Sequence, residues 1–297
     1  MHALILAAGY GSRIAALNAP KPLVPVAGVS LLEWSVRQAA SVGIEHAVVV
    51  TGHRAAEIEG RLPGISYRTG VSLEPCRLKD WSRPNGHSVM AGAARIDGNY
   101  LLMMADHMFT TGLLAALVED MPRRAGVSLA VDRAVAGPTI DPDDATWVRC
   151  RANGKIALIG KHLARYDAVD CGAFIATPDL AEAIAEAVAE GAAGSLSEGM
   201  QRLADRGAAD TIDVTGHWWI DVDDPHMHTV AEADAPYHLA SVPHRIARPV
   251  AAAATGLPSA SRNIWRAASC AVSASRAARG LILAMKTSAS RSATARG

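Results

Sequence analysis

Short apolar runs alternate with helical spacing through the first 135 residues, and this alternation restricts the fold more than any other feature of the chain. Residues 2–7, 46–51, 65–69 and 100–104 read as buried strands. Residues 30–42, 54–61, 88–95 and 110–119 read as helices. Strands separated by helices of this size predict βαβ units and a parallel sheet covered on both faces. Ser30 with Glu33 makes a capping-box pattern that fixes one helix start. From 126 to 176 the β signal is denser, with runs at 127–131, 146–151, 155–159 and 169–176. Asn153-Gly154 separates two of these runs, a strong hairpin signal. Thr177 before Pro178 predicts an N-cap and a first helical turn, and Ser195 with Glu198 predicts another helix start. Runs at 211–214 and 218–220 are the last expected strands, before a helix from about Asp224. The expected fold is a three-layer α/β/α domain with a mixed, mainly parallel sheet, spanning residues 1–240.

After Ala240 the composition changes. Residues 241–297 hold nine Lys or Arg and no Asp or Glu, leaving 20 basic and 29 acidic residues in 1–240. An acidic body argues against a nucleic-acid-binding enzyme, which usually presents a basic face. The Ala/Ser/Arg-rich tail is expected to be disordered or partly helical. A basic amphipathic helix around 264–285 that touches a membrane surface weakly is the sharper alternative. No run reaches the ~18 apolar residues of a membrane span. The N-terminus passes directly into apolar residues 3–6, and Cys76, Cys150, Cys171 and Cys270 lack zinc or disulfide-framework spacing. A reduced, cytoplasmic protein is therefore expected.

Three segments carry chemistry. The first is Leu6-Ala7-Ala8-Gly9-Tyr10-Gly11-Ser12-Arg13, followed by Pro20-Lys21-Pro22. It follows the first strand, at the carboxyl edge where ligands bind in open α/β sheets. Its glycines let backbone N–H groups approach a polyphosphate, and Arg13 and Lys21 add positive charge. Position 14 is Ile, which breaks a dinucleotide fingerprint, and the GKS or GKT of a Walker A loop is absent. The second is Met103-Met104-Ala105-Asp106-His107, a buried strand ending in a carboxylate. Asp106 reads as a Mg²⁺ ligand, or else as the cap of the following helix. The third is Trp219-Ile220-Asp221-Val222-Asp223-Asp224-Pro225. Asp221 and Asp223 alternate and so share a face, and either is a candidate for the same metal; Asp224 reads as a helix cap.

These strings resemble the nucleotidyltransferases of the GT-A-like (MobA-like) NTP transferase superfamily, with a Rossmann-like sheet. The resemblance implies that the 9–13 loop wraps a triphosphate and that Asp106 and the Asp221/Asp223 segment hold Mg²⁺. It assigns catalytic roles to Arg13, Lys21 and Asp106. Further segments resemble, within that superfamily, the CTP:inositol-1-phosphate cytidylyltransferases: Arg83-Pro84-Asn85-Gly86-His87-Ser88, Asp143-Asp144-Ala145-Thr146, Ile159-Gly160-Lys161 and Val169-Asp170-Cys171-Gly172. This likeness covers roughly residues 3–235. It implies that Asn85, Gly86 and Ser88 contact the base, and that Lys161 contacts the acceptor phosphate. Asp170 and Gly172 would line the acceptor side. The other readings are a helix cap for Ser88, a solvated lysine for Lys161 and a buried strand carboxylate for Asp170. In bifunctional relatives a membrane-embedded CDP-alcohol phosphotransferase follows; here a separate enzyme of that class is expected to use the product. The rival readings are a phosphocholine or sugar-1-phosphate nucleotidyltransferase, and a non-catalytic nucleotide-binding regulator.

Overall fold

The computed structural model describes residues 1–17, 19–119 and 126–242. In chain order the elements are β1 (His2–Ala7), β2 (Pro25–Val26), β3 (Val29–Ser30), α1 (Leu31–Ser41), β4 (His46–Thr51), α2 (Ala55–Thr69) and β5 (Ser72–Arg77). There follow α3 (Gly86–Ala93), β6 (Tyr100–Met104), β7 (His107–Phe109), α4 (Thr111–Glu119), β8 (Val127–Asp132), β9 (Trp147–Cys150), β10 (Ile156–Gly160) and β11 (Ala168–Ala176). The last elements are α5 (Asp179–Ala189), α6 (Leu196–Asp205), β12 (Ala209–Asp213), β13 (Trp219–Asp221) and α7 (Pro225–His238). Two 3-10 turns, Ser12–Leu17 and Lys21–Leu23, lie between β1 and β2.

Nine strands form one sheet with the path β10-β9-β11-β6-β1-β4-β5, and β8 and β12 branch from β11. β1 pairs in parallel with β4 and β6, and β4 with β5. β11 runs antiparallel to β6, β8 and β9. Alternation along the strands sends Ala3, Ile5, Val49, Leu101 and Met103 to one face, where they meet Leu32, Val36, Ile58 and Leu113 of α1, α2 and α4. Leu4, Leu6, Val48, Val50 and Leu102 face Val89, Leu180, Ile184 and Met200 of α3, α5 and α6. Each such fully buried side chain contributes on the order of 1.5–3 kcal/mol, so both apolar faces must be covered. This is the expected three-layer α/β/α arrangement.

The expected strand at 65–69 is instead the last turn of α2. Ile58, Leu62, Ile65 and Thr69 are all buried, and their spacing of four, three and four residues is one helical stripe. Gly60, Pro63 and Gly64 disguise that stripe, because each is a poor helix former. The strand itself is β5, which carries Pro75 and ends the sheet path. An edge strand tolerates proline because its N–H need not join a ladder. Thr177 does not cap α5, whose N-cap position is Pro178. Its hydroxyl accepts from the Gly126 N–H at 2.9 Å, which ties the end of β11 to the start of β8. Helix α3 begins at Gly86, with Ser88 inside it. The Asn153-Gly154 hairpin joins β9 to antiparallel β10, Ser195 and Glu198 form a full capping box, and Asp224 caps α7. Among the described residues no helix is long and apolar enough to cross a membrane. Cys76, Cys150 and Cys171 are free. Cys270, residues 243–297 of the basic tail and the expected helix at 264–285 lie outside the described residues.

Candidate active site

Neighbouring strands deliver the glycine turn and Asp106 to the same sheet edge. Leu6 of β1 lies in register with Met104 of β6, and the Ala105 N–H donates to the Leu6 carbonyl at 3.0 Å. The turn after β1 and Asp106 after β6 therefore leave the sheet side by side. Gly11 has φ of 63°, and a Cβ there would lie 2.6 Å from Cβ of Lys21. The glycine lets the turn close over the stem of Lys21 in a backbone conformation that other residues resist.

The second carboxylate segment arrives by a short ribbon. β7 pairs antiparallel with β13, with Asp221 opposite His107, and the Val222 N–H donates to the Asp106 carbonyl at 3.0 Å. Met108, Ile220 and Val222 are buried in a third apolar cluster with Ile14, Val24 and Trp34. Strand alternation then places Asp221 and Asp223 on the opposite face, toward Asp106. Since β7 separates Asp106 from α4, this carboxylate is not the cap of that helix.

The convergence is electrostatically dense. The buried Lys21 Nζ lies 2.7 Å from Asp106 Oδ2 and 3.8 Å from Asp221 Oδ1, and it also donates to Asp223. Removal from water would lower the pKa of Lys21, but the charges of Asp106, Asp221 and Asp223 outweigh it and hold the ammonium well above the ordinary lysine value. Asp106 also loses hydration, yet Lys21 and His107 keep it far below the usual carboxylate range. The His107 Nδ1 is 2.9 Å from Asp106 Oδ1 and 3.6 Å from Asp221 Oδ1. Burial opposes its protonation, but the facing carboxylates push its pKa up to about 9. Asp221 moves the other way, up to about 6, through lost hydration and the nearby charges of Asp106 and Asp223, which His107 and Lys21 only partly offset. Arg13 lies 2.7 Å from Asp144 Oδ2 and 3.4 Å from Asp141 Oδ2 and pairs with Asp223; Lys161 also pairs with Asp144.

Two adjoining cavities open here. One, of about 310 Å³, is lined by Leu6, Ala7, Gly9, Gly11 and Lys21. The other, of about 220 Å³, is lined by Asn85, Thr146, Asp170, Gly172 and Asp221. Arg13, Asp106, Asp144, Lys161 and Asp223 line both and form the shared wall. β11 bends into the second cavity through a bulge between Asp170 and Phe174, where Gly172 has φ of 80°. A Cβ on Gly172 would collide with the His107 imidazole, and the Gly172 N–H donates to Asp170 Oδ1 at 2.7 Å. Bulges of this kind re-aim side chains beside sites.

Of the residues expected from sequence, Arg13, Lys21, Asp106, Asp221 and Asp223 meet in one cluster, with Lys161, Asp170 and Gly172 beside it. Ala8 is buried and its carbonyl accepts from the His53 N–H at 3.0 Å, while Ser12 is exposed at the first 3-10 turn. Asn85 reaches the cavity, and its side-chain oxygen also accepts the Leu196 N–H at 2.9 Å, satisfying a free donor at the start of α6. Gly86 and Ser88 are buried in α3 and line neither cavity; Gly86 packs against Gly194 and Ile184. His107, Asp141 and Asp144 belong to the cluster and were not among the expected site residues. The acidic run at 141–144 was the available signal, but only folding shows that it meets Arg13.

The donor set fits a divalent cation. Among the described residues, ligand atoms of Asp106, His107 and Asp221, and those of Asp144, Asp221 and Asp223, lie within 4.8 Å of one another. Asp221 Oδ1 is buried with no hydrogen-bond partner. A buried carboxylate oxygen left in that state is costly, and a cation would satisfy it.

Comparison with known proteins agrees with this geometry. The family model described as "MobA-like NTP transferase domain" matches residues 3–209. The "Bifunctional IPC transferase and DIPP synthase" of Aquifex aeolicus (strain VF5) is 33% identical over 225 residues, 75% of this chain and 49% of the relative. The protein of the same name from Rubrobacter xylanophilus is 34% identical over 234 residues, 77% of this chain and 51% of the relative. The chain thus spans about half the length of these curated relatives. The inositol-1-phosphate CTP transferase from T. maritima superposes with a TM-score of 0.68 at 20% identity, covering 78% of this chain and 96% of that one. A UDP-glucose pyrophosphorylase superposes with a TM-score of 0.65 at 19% identity, covering 78% and 97%. At such identities the superpositions establish the nucleotidyltransferase fold. With the glycine turn, the shared carboxylate wall and a family match over most of its length in place, the chain belongs to the MobA-like NTP transferase family.

Proposed function

We propose that the chain is a Mg²⁺-dependent cytidylyltransferase that converts CTP and 1L-myo-inositol 1-phosphate into CDP-inositol and diphosphate. One observation carries the chemistry: Lys21, fixed under the glycine turn, meets carboxylates from two distant segments at the wall shared by two cavities. The choice of acceptor is supported by the sequence likeness to the two IPC transferases. It is supported also by a second cavity that offers Lys161 for a phosphate and Asp170 for hydroxyls.

An acceptor phosphate oxygen forms a bond to the α-phosphorus as the bond from that phosphorus to the β-phosphate bridge breaks. Diphosphate leaves with the electron pair. A phosphate monoester is largely ionised at neutral pH, so no general base is required. The obstacle is repulsion between two anions. The 9–13 turn offers backbone N–H groups to the triphosphate. Arg13 and Lys21, now paired with carboxylates, supply its countercharge. Lys161 holds the acceptor phosphate on the other side of the wall. Asp106, with Asp221 and Asp223, would hold Mg²⁺, since that ion prefers carboxylate oxygens. Bound there, the ion would supply countercharge to the phosphates. His107 orients Asp106 through its Nδ1 contact. In this reading the enzyme works in the cytoplasm without a nucleic-acid partner, and a CDP-alcohol phosphotransferase activity consumes its product.

Release of pyrophosphate, measured across four nucleoside triphosphates and a panel of phosphate acceptors, tests this. The expected best pair is CTP with inositol 1-phosphate, with turnover abolished by EDTA and restored by Mg²⁺. Turnover of UTP or dTTP with glucose 1-phosphate, and none with CTP and inositol 1-phosphate, would refute it.

A further inference from the structure

Beside the glycine turn stands a group of aromatic rings that the chemistry above does not use. Tyr10, between Gly9 and Gly11, is 53% exposed, and Trp81 is 38% exposed. Their rings are near-parallel, at 15°, with centroids 6.2 Å apart. The His53 ring meets both edge-on, with centroids 4.6 Å from Tyr10 and 5.0 Å from Trp81. Large rings at this exposure leave apolar surface open to water, and an aromatic ligand can cover such surface.

Their position is fixed by the backbone that forms the phosphate cavity. The His53 N–H bonds to the Ala8 carbonyl at 3.0 Å, in the same turn. Gly52 lets Trp81 close in, since a Cβ there would strike the Trp81 stem and lie 2.7 Å from the Ala8 oxygen. Next to Tyr10 in the chain the space over Gly9 is open: a Cβ there would meet nothing within 4 Å. Consecutive Cα atoms are ~3.8 Å apart, so the Tyr10 ring starts one residue from the glycines lining the polyphosphate cavity. A nucleoside triphosphate whose phosphates lie along Gly9 and Gly11 must place its base on one side of that turn. The aromatic group adjoins that turn, with Tyr10 between its two glycines and the His53 N–H bonded to the Ala8 carbonyl.

We propose that Tyr10 and Trp81 form a stacking platform for the nucleobase, with His53 wedged against both rings to hold them. This rests on the nucleotidyltransferase reading but not on the identity of the acceptor. Stacking uses the π-face that every base has, so the platform supplies affinity for the base, and hydrogen bonding elsewhere must select cytosine.

The test is steady-state kinetics of Tyr10→Leu and Trp81→Leu, with Tyr10→Phe and Trp81→Phe as conservative variants. The Leu variants are expected to raise KM for CTP about tenfold, with the loss falling on KM rather than kcat. The Phe variants should stay within about threefold of wild type. Inorganic tripolyphosphate, which has no base, should inhibit all of them equally. The proposal is overturned if both Leu variants keep the wild-type KM. It is also overturned if tripolyphosphate inhibition weakens as much as CTP binding, because the rings would then act through the glycine turn. Should the wild-type protein use another triphosphate in place of CTP, the functional reading fails. The same four variants then decide the platform with that nucleotide.

Discussion

Lys21 and Lys161 both pair with carboxylates on the wall between the two cavities, yet their surroundings differ sharply. The Lys21 side chain is 7% exposed and faces Asp106, Asp221 and Asp223; that of Lys161 is 51% exposed and, among the described residues, pairs with Asp144. Lys21 sits where parallel strands β1 and β6 end, under a turn that closes on its stem. Lys161 follows β10 in the antiparallel half of the molecule. A buried ion cluster is expensive to break because it leaves an unpaired charge out of water, whereas an exposed pair is worth little. The first side is therefore fixed before substrate arrives, and the second can exchange its partner for a ligand at small cost. On the proposed reading, a triphosphate common to many reactions suits the fixed side, and a variable acceptor suits the adjustable one.

The strongest way to break this comparison is Asp106→Ala. On the proposed reading it removes a carboxylate from the fixed side, and turnover should fall about 10³-fold in pyrophosphate release. Lys21 keeps Asp223 and Asp221 as partners, so circular dichroism should still report a folded domain. A rate within tenfold of wild type would mean that the reaction centre lies elsewhere.

The fixed side was also the more legible in sequence. A glycine turn after an apolar run, a carboxylate closing the 100–104 strand and two alternating aspartates are all local patterns, and local patterns survive in one dimension. What escaped were features set by tertiary contact. Strand β7 has three residues, too few for any periodicity, yet it is what places His107 opposite Asp221. Asp144 is 131 positions from Arg13 in the chain, and its role as the shared partner of Arg13 and Lys161 appears only on folding. The α2 error has the same origin. Burial of Ile58, Leu62 and Ile65 against the sheet overrode the low helix propensity of Gly60, Pro63 and Gly64. Asn85 was a candidate through the resemblance and does line the second cavity, but its bond to the Leu196 N–H was not legible, because that helix start lies 111 residues away.

On the adjustable side, Lys161→Ala sharpens the division between the cavities. Because this lysine lines both, the kinetic signature decides which ligand it serves. If it holds the acceptor phosphate, KM for inositol 1-phosphate should rise about tenfold while KM for CTP changes less than about threefold. The melting temperature should barely move, since exposed pairs contribute about 0–1 kcal/mol. A larger effect on CTP than on the acceptor would transfer Lys161 to the triphosphate side.

The smallest expected effect concerns stability and tests whether the acceptor side retains an unfavourable charge. Asp170 lies on bulged β11 and is pushed up to about 6 by lost hydration, with Asp221 adding to the shift; the Gly172 N–H and His107 oppose it only partly. A carboxyl group whose folded-state pKa exceeds its unfolded value of ~3.9 favours folding in its protonated form. Its stabilising contribution is complete below about pH 4, declines as pH rises toward 6, and is lost above that. Asp170→Asn cannot ionise and retains an oxygen to accept the Gly172 N–H. The variant should match wild type in melting temperature at pH 4 and exceed it by about 2 °C or more at pH 7.5. An equal difference at both pH values would assign the change to packing rather than to ionisation. If the variant is more stable at pH 7.5 and also binds inositol 1-phosphate less tightly, then the unfavourable carboxylate serves acceptor recognition. The adjustable side would then contain one strained group held by function, beside ion pairs that yield readily to a ligand.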